Sequence, residues 1–362
     1  MHPLRVVVVG CGNMGASHAR AYAAMDEFEI VGLVSRGPAS REQLADRLGG
    51  AATFGDLETA LTEAKPDVVS INTYPDTHAS LTRQSLRAGC HVFLEKPVAE
   101  TVEDARSLVS LAAAQNRKLV IGYILRVHPA WQKFVELAQT LGKPLVMRMN
   151  LNQQSHGQEW ATHKSLMNSM SPIVDCGVHY VDVMCQMTRA RPLRVQAIGA
   201  RLSDELAPGM YNYGQLQVVF DDGSVGWYEA GWGPMMSEVA YFVKDVVGPR
   251  GSVSIVDRDG GERVSGSADV DSHTKTSQLK LHRAERDSDD EFVHADTFID
   301  TSDEPDHDEL CRREQEYLLR AIREDWNLSD HLADAVNSLR IVLAADESLR
   351  SGRVVALESE GG

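Results

Sequence analysis

Three side chains suited to proton transfer stand in two short motifs of this sequence. Lys96 precedes Pro97, whose ring restricts the backbone before it and so fixes where the lysine points. Asp175 and His179 are four residues apart, so on a helix they would share one face. A lysine, a carboxylate and an imidazole together suit a reaction in which a hydroxyl loses its proton while the carbon loses a hydride.

A glycine-rich turn follows the first apolar run of the chain. Gly10 allows the tight turn, Gly12 lets the backbone approach a pyrophosphate, and Gly15 lets the next helix pack on the strand. The helix that starts at Asn13 and Met14 would direct its N-terminal amides at the phosphates. This pattern predicts a dinucleotide-binding site.

The end of the second predicted strand bears on the choice between NAD and NADP. An acidic residue about 20 positions past the glycine turn normally holds the adenosine ribose hydroxyls. That place reads Val34-Ser35-Arg36-Gly37 here, without a carboxylate. Ser35 and Arg36 suit a 2′-phosphate, which slightly favours NADP, although NAD with Arg36 stacked on the adenine stays open.

Short apolar segments alternate with helical segments in the first third of the chain. Such strands are typical of a parallel sheet buried on both faces, and repeated βα units predict a doubly wound α/β fold. Two helix starts are predicted from capping residues, Ser40 with Gln43 and Thr101 with Asp104. The predicted strands are Leu4–Val9, Phe28–Val34, 67–72, 91–94 and 118–122.

After about residue 123 the pattern changes to strands with few helices. The turn Asp221-Asp222-Gly223 predicts a hairpin. We therefore expect a Rossmann domain over residues 1–123 and an α+β domain over 124–362 with a large, mostly antiparallel open sheet. Predicted helices are 129–141, 175–187, 310–325 and 329–350, predicted strands are 144–152, 193–201, 213–220, 224–230, 239–246 and 252–256, and predicted polar loops are 152–164 and 285–309.

Composition and charge limit the classes of function. A length of 362 residues suits two domains, and a net charge of −16 disfavours nucleic acid or an anionic membrane as a partner. Apolar runs stay below the roughly 20 residues that span a bilayer, and a signal peptide is not apparent, so we expect a cytoplasmic protein. The five cysteines lack metal-ligand spacing, and we expect neither disulfides nor a metal.

Three motifs follow one another in this chain: the glycine turn, Glu95-Lys96-Pro97, and the pair of Asp175 and His179. The Gfo/Idh/MocA oxidoreductases have these motifs in the same order, and the chain resembles that family over essentially its whole length. The resemblance implies an NAD(P)-dependent enzyme that transfers a hydride between a ring carbon of a sugar, sugar derivative or cyclitol and the nicotinamide. It also implies a homodimer or homotetramer formed through the C-terminal sheet.

Carried over by motif, Lys96, Asp175 and His179 are the catalytic trio. His179 would take the hydroxyl proton, Lys96 would stabilise the developing alkoxide, and Asp175 would position the substrate. A polar loop before the catalytic helix suits polyhydroxylated rings, and nearby cations would also admit an acidic sugar. Tyr74 stands where the family usually has proline. Further expected cofactor contacts are Thr73, Tyr74, Pro75, His78, Glu95, Lys96 and Arg126, and expected substrate contacts are Lys96, Tyr123, Arg126, His156, Trp160, Asp175 and His179.

Two alternatives stay open. Some members of the family keep NAD bound and hydrolyse glycosides by transient oxidation, elimination and re-reduction, and the same trio would serve that reaction. Such an enzyme would turn over without net reduction of the cofactor. A non-enzymatic sensor that binds a dinucleotide is the other alternative, and the intact trio argues against it.

Overall fold

The computed structural model describes residues 2–237, 243–256 and 274–357. The chain divides into two compact units, Met1–Val127 with Pro305–Val336, and His128–Glu304 with Asn337–Gly362. The predicted boundary between the domains, after residue 123, stays a prediction. The first compact unit differs from the predicted first domain because it also contains residues 305–336. The difference arises because a helix of the C-terminal tail packs against the first helix of the chain.

Six parallel strands form the sheet of the first unit, as expected for a doubly wound fold. They are β1 (Leu4–Val9), β2 (Phe28–Val34), β3 (Thr53–Phe54), β4 (Val68–Ile71), β5 (His91–Glu95) and β6 (Leu119–Gly122). Val6, Val7 and Val8 are fully buried, which explains why an apolar run forms the central strand. The order is β3-β2-β1-β4-β5-β6, so the connections diverge between β1 and β4 and leave a crevice at the carboxyl edge.

The helices of the first unit follow its strands. They are α1 (Asn13–Ala23), α2 (Pro38–Arg47), α3 (Leu57–Ala64), α4 (Pro75–Arg87) and α5 (Val102–Ala114). Thr101 Oγ1 accepts the Asp104 backbone N–H at 3.1 Å, which confirms the predicted start of α5. The capping box of Ser40 and Gln43 is wrong, because α2 already begins at Pro38, and proline is preset for the first helical position.

Nine strands of the sheet of the second unit lie in the described residues. They are β7 (Val146–Gln154), β8 (Pro192–Ala200), β9 (Tyr213–Phe220), β10 (Val225–Gly233), β11 (Lys244–Gly248), β12 (Gly251–Val256), β13 (Gln278–Arg283), β14 (Thr297–Asp300) and β15 (Val355–Ala356). Their order is β14-β13-β12-β11-β7-β10-β9-β8-β15, and all pairs are antiparallel except β7 with β10. The predicted large antiparallel sheet and its hairpin between β9 and β10 are confirmed; part of the predicted strand 239–246 lies outside the described residues.

The described helices of the second unit are α6 (Pro129–Gln139), α7 (Gly157–Leu166), α8 (Pro172–Asp175) and α9 (Gly177–Thr188), together with residues 337–351 of the last helix of the chain. Tyr180 of α9 stacks on Tyr228 of β10 with ring centroids 5.2 Å apart, so aromatic packing holds this helix on the sheet. The loop prediction for 152–164 is wrong, because α7 occupies most of it, and β14 lies within the other predicted loop. Polar composition does not exclude a helix or strand that buries only one side.

Two further helices lie in the tail, α10 (His307–Arg323) and α11 (Ser329–Ser351). Within the first unit α10 packs on α1, and its residues Leu310 and Leu318 are fully buried. The start of α11 also joins the first unit, since His331 Nε2 accepts the Ile121 backbone N–H of β6 at 2.9 Å. Among the described helices, none is both long and apolar enough to cross a membrane.

Replacing Thr101 by alanine should lower the free energy of unfolding by about 1 kcal/mol, because it removes the cap of α5. Ser40→Ala is the matched control, since Ser40 lies inside α2 and should cost only a few tenths of a kcal/mol. Denaturant unfolding of both variants measures the difference. Equal losses in the two variants would contradict the capping assignment.

Candidate functional site

The predicted dinucleotide turn has the geometry that its glycines require. Gly10 has a φ of +90°, and a Cβ there would lie 2.4 Å from the Asn72 carbonyl oxygen after β4. A Cβ on Gly15 would lie 1.8 Å from the Gly10 carbonyl oxygen, so no side chain fits at either position. A Cβ on Gly12 would meet no described atom within 4 Å, so this stretch of backbone faces open space.

The start of α1 leaves its amides available to an anion. Gly12 is the N-cap and offers no side-chain cap, and the first turn carries no acidic residue. Free amides at the positive end of a helix dipole suit a phosphate. These residues therefore fit the pyrophosphate of a dinucleotide.

A cavity of about 840 Å³ opens beside this turn, at the ends of β1, β2 and β4. Its size is that of a small-molecule site, and it lies where the strand order reverses. The predicted cofactor contacts that line it are Gly10, Gly12, Asn13, Met14, Ser35, Arg36, Thr73 and Tyr74.

The remaining predicted cofactor contacts lie outside the described lining of this cavity. They are Gly15, Pro75, His78, Glu95, Lys96 and Arg126. The imidazole of His78 is buried, with Nδ1 2.7 Å from the Pro97 carbonyl oxygen and Nε2 2.9 Å from that of Thr73. This histidine therefore joins the cavity-lining segment after β4 to the segment that carries Lys96.

Glu95, the last residue of β5, faces the interior of the first unit. Its Oε1 lies 2.7 Å from Nε2 of His18 on α1, and its Oε2 accepts the Lys96 backbone N–H at 3.2 Å. Its exposed fraction is 8%. The motif thus contributes a buried carboxylate, and the expected contact of Glu95 with the cofactor stays a prediction.

Four charged residues near the cavity were not predicted as contacts: Arg41, Asp56, Glu58 and Asp76. Arg41 of α2 donates from Nη1 to the Ser35 carbonyl oxygen at 2.6 Å, and its charge also reaches Cys11 in the glycine turn. Burial nevertheless raises the pKa of the Cys11 thiol to about 11. Asp56 and Glu58 line the cavity from the start of α3. Arg41 could have been predicted, because it lies in the first turns of α2, the helix that follows Ser35 and begins near the end of β2.

Tyr123 and Arg126 follow β6 in the first unit. Arg126 Nη2 lies 2.9 Å from Asp334 Oδ2, and the two side chains are 11% and 9% exposed. The guanidinium carbon lies 5.8 Å from the centre of the Tyr123 ring. Because Asp334 balances its charge, Arg126 is a weaker candidate for binding an acidic sugar than the sequence indicated.

The premise that Asp175 and His179 lie on one continuous helix is wrong. α8 ends at Asp175 and α9 begins at Gly177, with Cys176 between them. A Cβ on Gly177 would lie 3.1 Å from the Tyr228 ring, so the glycine lets the chain approach the sheet closely at this break. The apolar pattern of the sequence continues through this break, so the sequence predicted one helix where the structure has two. Their predicted catalytic roles do not depend on a shared helix face and stay predictions.

Asp175 stands in a cluster with Cys176, Gln153, His163 and Trp232, called here the Asp175 cluster. Cys176 Sγ lies 3.5 Å from Asp175 Oδ2 and 3.6 Å from Gln153 Oε1, which also accepts Trp232 Nε1–H at 2.6 Å. His163 stacks on Trp232 with ring centroids 4.5 Å apart. Burial lowers the pKa of His163 while the charge of Asp175 opposes that shift, so a neutral imidazole neighbours a carboxylate.

The two predicted substrate contacts of the polar loop take different positions. His156 precedes α7 and is exposed. Trp160 is 5% exposed and donates Nε1–H to Glu205 Oε1 at 3.1 Å, so its indole is engaged inside the second unit. Trp232 was missed, because only the register of β7 with β10 places it beside Gln153.

Both parts of the chain match models of one protein family. Residues 4–123 match "Oxidoreductase family, NAD-binding Rossmann fold", and residues 133–254 match "GFO/IDH/MocA C-terminal domain". The chain belongs to the Gfo/Idh/MocA oxidoreductase family. The resemblance inferred from three motifs is confirmed, and the Gfo/Idh/MocA fold accounts for both sheets.

Proteins similar in sequence to this chain are named for different activities. UDP-N-acetylglucosamine 3-dehydrogenase of Acidithiobacillus ferrooxidans is 30% identical over 54% of this chain and 58% of its own length. Glycosyl hydrolase family 109 protein 2 of Akkermansia muciniphila is 34% identical over 32% of this chain and 26% of its own length. The chain thus matches less than two thirds of either relative. Scyllo-inositol dehydrogenase of Lactobacillus casei, solved with NAD(H) and scyllo-inositol, shares the fold with a TM-score of 0.77 at 19% identity, over 98% of this chain and 99% of that one.

The glycines of the turn should separate folding from cofactor binding. Gly12→Ala should unfold at nearly the wild-type temperature but bind NAD and NADP at least about tenfold more weakly, because a Cβ would enter the space reserved for the pyrophosphate. Gly15→Ala should instead lower the free energy of unfolding by about 1–3 kcal/mol, because its Cβ overlaps the backbone. Thermal unfolding and cofactor titration measure both effects; a Gly12→Ala variant with normal affinity would contradict the site.

Proposed function

We propose that this chain is an NADP-preferring dehydrogenase that transfers a hydride between a ring carbon of a sugar, sugar derivative or cyclitol and the nicotinamide. The observation that carries the proposal is the open backbone at Gly12 beside a cavity of about 840 Å³. The names of relatives support the substrate class, since one is a UDP-N-acetylglucosamine dehydrogenase and a solved structure of the same fold holds scyllo-inositol.

The catalytic roles follow from the family motif. When bound, the nicotinamide supplies the acceptor of the hydride. His179 accepts the substrate hydroxyl proton, since imidazole exchanges protons near neutral pH. Lys96 donates a hydrogen bond to the same oxygen and stabilises its negative charge. Asp175 orients a neighbouring hydroxyl of the ring.

The Asp175 cluster supports a neutral, hydroxyl-rich ring as the substrate. The Asp175 carboxylate and the His163 imidazole are both partly exposed, and they offer acceptors and a donor to hydroxyls. His163 is held by the Ser155 hydroxyl at 2.9 Å and by its stack on Trp232, so the imidazole is preorganised. An acidic ring would instead meet the charge of Asp175, and Arg126 already pairs with Asp334.

Cofactor preference rests on the cations at the end of β2. Ser35 and Arg36 line the cavity, and Arg41 brings a second guanidinium to the same strand end. Two guanidinium groups and a hydroxyl suit the 2′-phosphate of NADP. Asp56 and Glu58 also line the cavity, and their negative charges disfavour a phosphate, so the expected preference for NADP is partial.

A redox glycosidase is the second candidate function. The match to a glycosyl hydrolase family 109 protein favours it, although that match covers only 32% of this chain. A bound NAD would supply a hydride acceptor that is regenerated within each turnover, so reduced cofactor would not accumulate. The same three residues would serve, so the two functions differ in their stoichiometry.

We also propose a cytoplasmic homodimer or homotetramer formed through the sheet of the second unit. The register of β7 to β11 places Val146, Ile198, Val225 and Val247 on one face of that sheet, and each is at least 37% exposed. Exposed valine and isoleucine on one sheet face are typical of a surface that another protein chain covers.

A cofactor-balance assay tests the proposed function. The protein is incubated with NAD or NADP and a panel of sugars, cyclitols and glycosides, and reduced nicotinamide is compared with the product formed. We expect one reduced cofactor for each oxidised ring, with NADP preferred and neutral substrates favoured over uronates. His179→Asn should reduce turnover by about 10²–10⁴-fold while leaving cofactor affinity unchanged. Free sugar released from a glycoside without reduced cofactor would establish the redox glycosidase instead.

The 2′-phosphate preference has its own test. Arg36→Ala and Arg41→Ala should each weaken NADPH binding by about tenfold or more and leave NADH binding nearly unchanged, because each removes a charge-assisted hydrogen bond. Arg47→Ala, on the exposed end of the same helix, is the matched control. Fluorescence titration with both reduced cofactors measures the ratio. Equal affinities in the wild type and in all three variants would refute the NADP assignment.

A further inference from the structure

A buried polar cluster lies between β5, α1 and α10 in the first unit. Its members, called here the β5 cluster, are Glu95, His18, Cys311, Glu314 and Gln315, and none is more than 8% exposed. Charged and polar groups at this depth are costly unless they are hydrogen-bonded. Their bonds therefore indicate what the cluster does.

The ring of His18 is held at both nitrogens. Gln315 Nε2 lies 2.9 Å from Nδ1, and Glu95 Oε1 lies 2.7 Å from Nε2. An amide nitrogen only donates, so Nδ1 accepts and the ring proton resides on Nε2. His18 therefore donates this proton to Glu95 in a charge-assisted hydrogen bond.

The second oxygen of Glu95 is bonded to the segment that carries Lys96. Oε2 accepts the Lys96 backbone N–H at 3.2 Å. Hydrogen bonds donated to both oxygens favour the ionised carboxylate. One negative charge thus stands next to the Lys96 main chain, held from α1 by an imidazole that is itself fully buried.

The other acidic member of the cluster is neutral. Burial raises the pKa of Glu314 well above its usual range, and the charge of Glu95 raises it further. Tyr22 on α1 faces the same carboxyl, and Arg20 and Asp308 pair with each other at 2.9 Å at the exposed edge. The β5 cluster therefore carries a single negative charge, on Glu95.

The cluster is not assigned as a metal site. Donor atoms of His18, Cys311 and Glu314 do lie within 4.8 Å of one another. Both ring nitrogens of His18 are already hydrogen-bonded, and burial raises the pKa of the Cys311 thiol far above its usual range, so neither is available as a ligand.

We propose that Glu95, oriented by His18, is a positioning residue for Lys96. It accepts the main-chain N–H of the lysine and places one negative charge on the residue next to it, which favours the ammonium form of the lysine. The inference rests on the proposed function only for the role of Lys96 at the substrate oxygen. The same charge then ensures that Lys96 donates a hydrogen bond there over the working pH range.

Acylation of the full-length protein tests the proposal without any substrate. The rate at which acetic anhydride modifies Lys96 is followed by mass spectrometry across pH, since only the free amine reacts. Glu95→Gln keeps the shape but removes the charge, and it should lower the pKa of Lys96 by about 1 unit, which raises its reaction rate about tenfold below that pKa. His18→Leu should act in the same direction, because a buried Glu95 without its donor takes up a proton.

Two variants separate this role from a general effect on packing. His18→Gln retains an amide N–H near the place of Nε2 and should keep nearly the wild-type profile. Cys311→Ala disturbs the same cluster without touching Glu95 and should also keep it. A Glu95→Gln profile that coincides with the wild type would overturn the proposal. If His18→Leu does not fold, the near-isosteric Glu95→Gln decides.

An activity measurement distinguishes this proposal from the proposed function. If the protein is a sugar dehydrogenase, Glu95→Gln should lower kcat and shift the pH profile of kcat. If the wild type oxidises no ring substrate, the proposed function fails, and the acylation profile still decides the role of Glu95.

Discussion

Direct backbone contact between Gly10 and Gly15 fixes the position of α1, and the chemistry of the first unit depends on that helix. Because no Cβ fits between these residues, α1 starts against the end of β1. Its first amides consequently face the cavity at Gly12, and further along His18 reaches Glu95 at 2.7 Å. One helix therefore serves the cofactor cavity with its N-terminus and the motif that contains Lys96 with its buried side.

The second unit arranges its polar groups by strand pairing. Gln153 and Trp232 are partners across the parallel pair of β7 and β10, and α7 adds His163 on top of the indole. Asp175 enters the same cluster through Cys176, at the break between α8 and α9. Rigid strands thus position the residues that we propose to bind the ring, which favours a specific orientation of its hydroxyls.

The sequence predicted those elements whose residue pattern is local. The strands Leu4–Val9 and Phe28–Val34 were predicted residue by residue, because a short apolar run between polar or glycine residues is a local pattern. The break at Cys176, the helix α7 and the packing of α10 on α1 were missed, because contacts far along the chain decide them. The Asp308 carboxylate that pairs with Arg20 is 288 residues away in sequence.

The same limit applies to the candidate site. The glycine turn and the pair of Ser35 and Arg36 were predictable, since each follows a strand at a fixed spacing. The inward orientation of Glu95 was not predictable, because it depends on His18, 77 residues earlier in the chain, and on the amide of Gln315 in α10. Sequence therefore identified the family and the cofactor turn, while the environment of Lys96 and the Asp175 cluster required the structure.

Isotope transfer tests the central claim most directly. Sugars and cyclitols deuterated at every ring carbon are incubated with the protein and NADP, and the cofactor is analysed by mass spectrometry. A dehydrogenase transfers deuterium to the nicotinamide, so we expect deuterated NADPH in an amount equal to the oxidised ring. Substrate that is consumed while the cofactor stays oxidised and unlabelled would contradict a net hydride transfer.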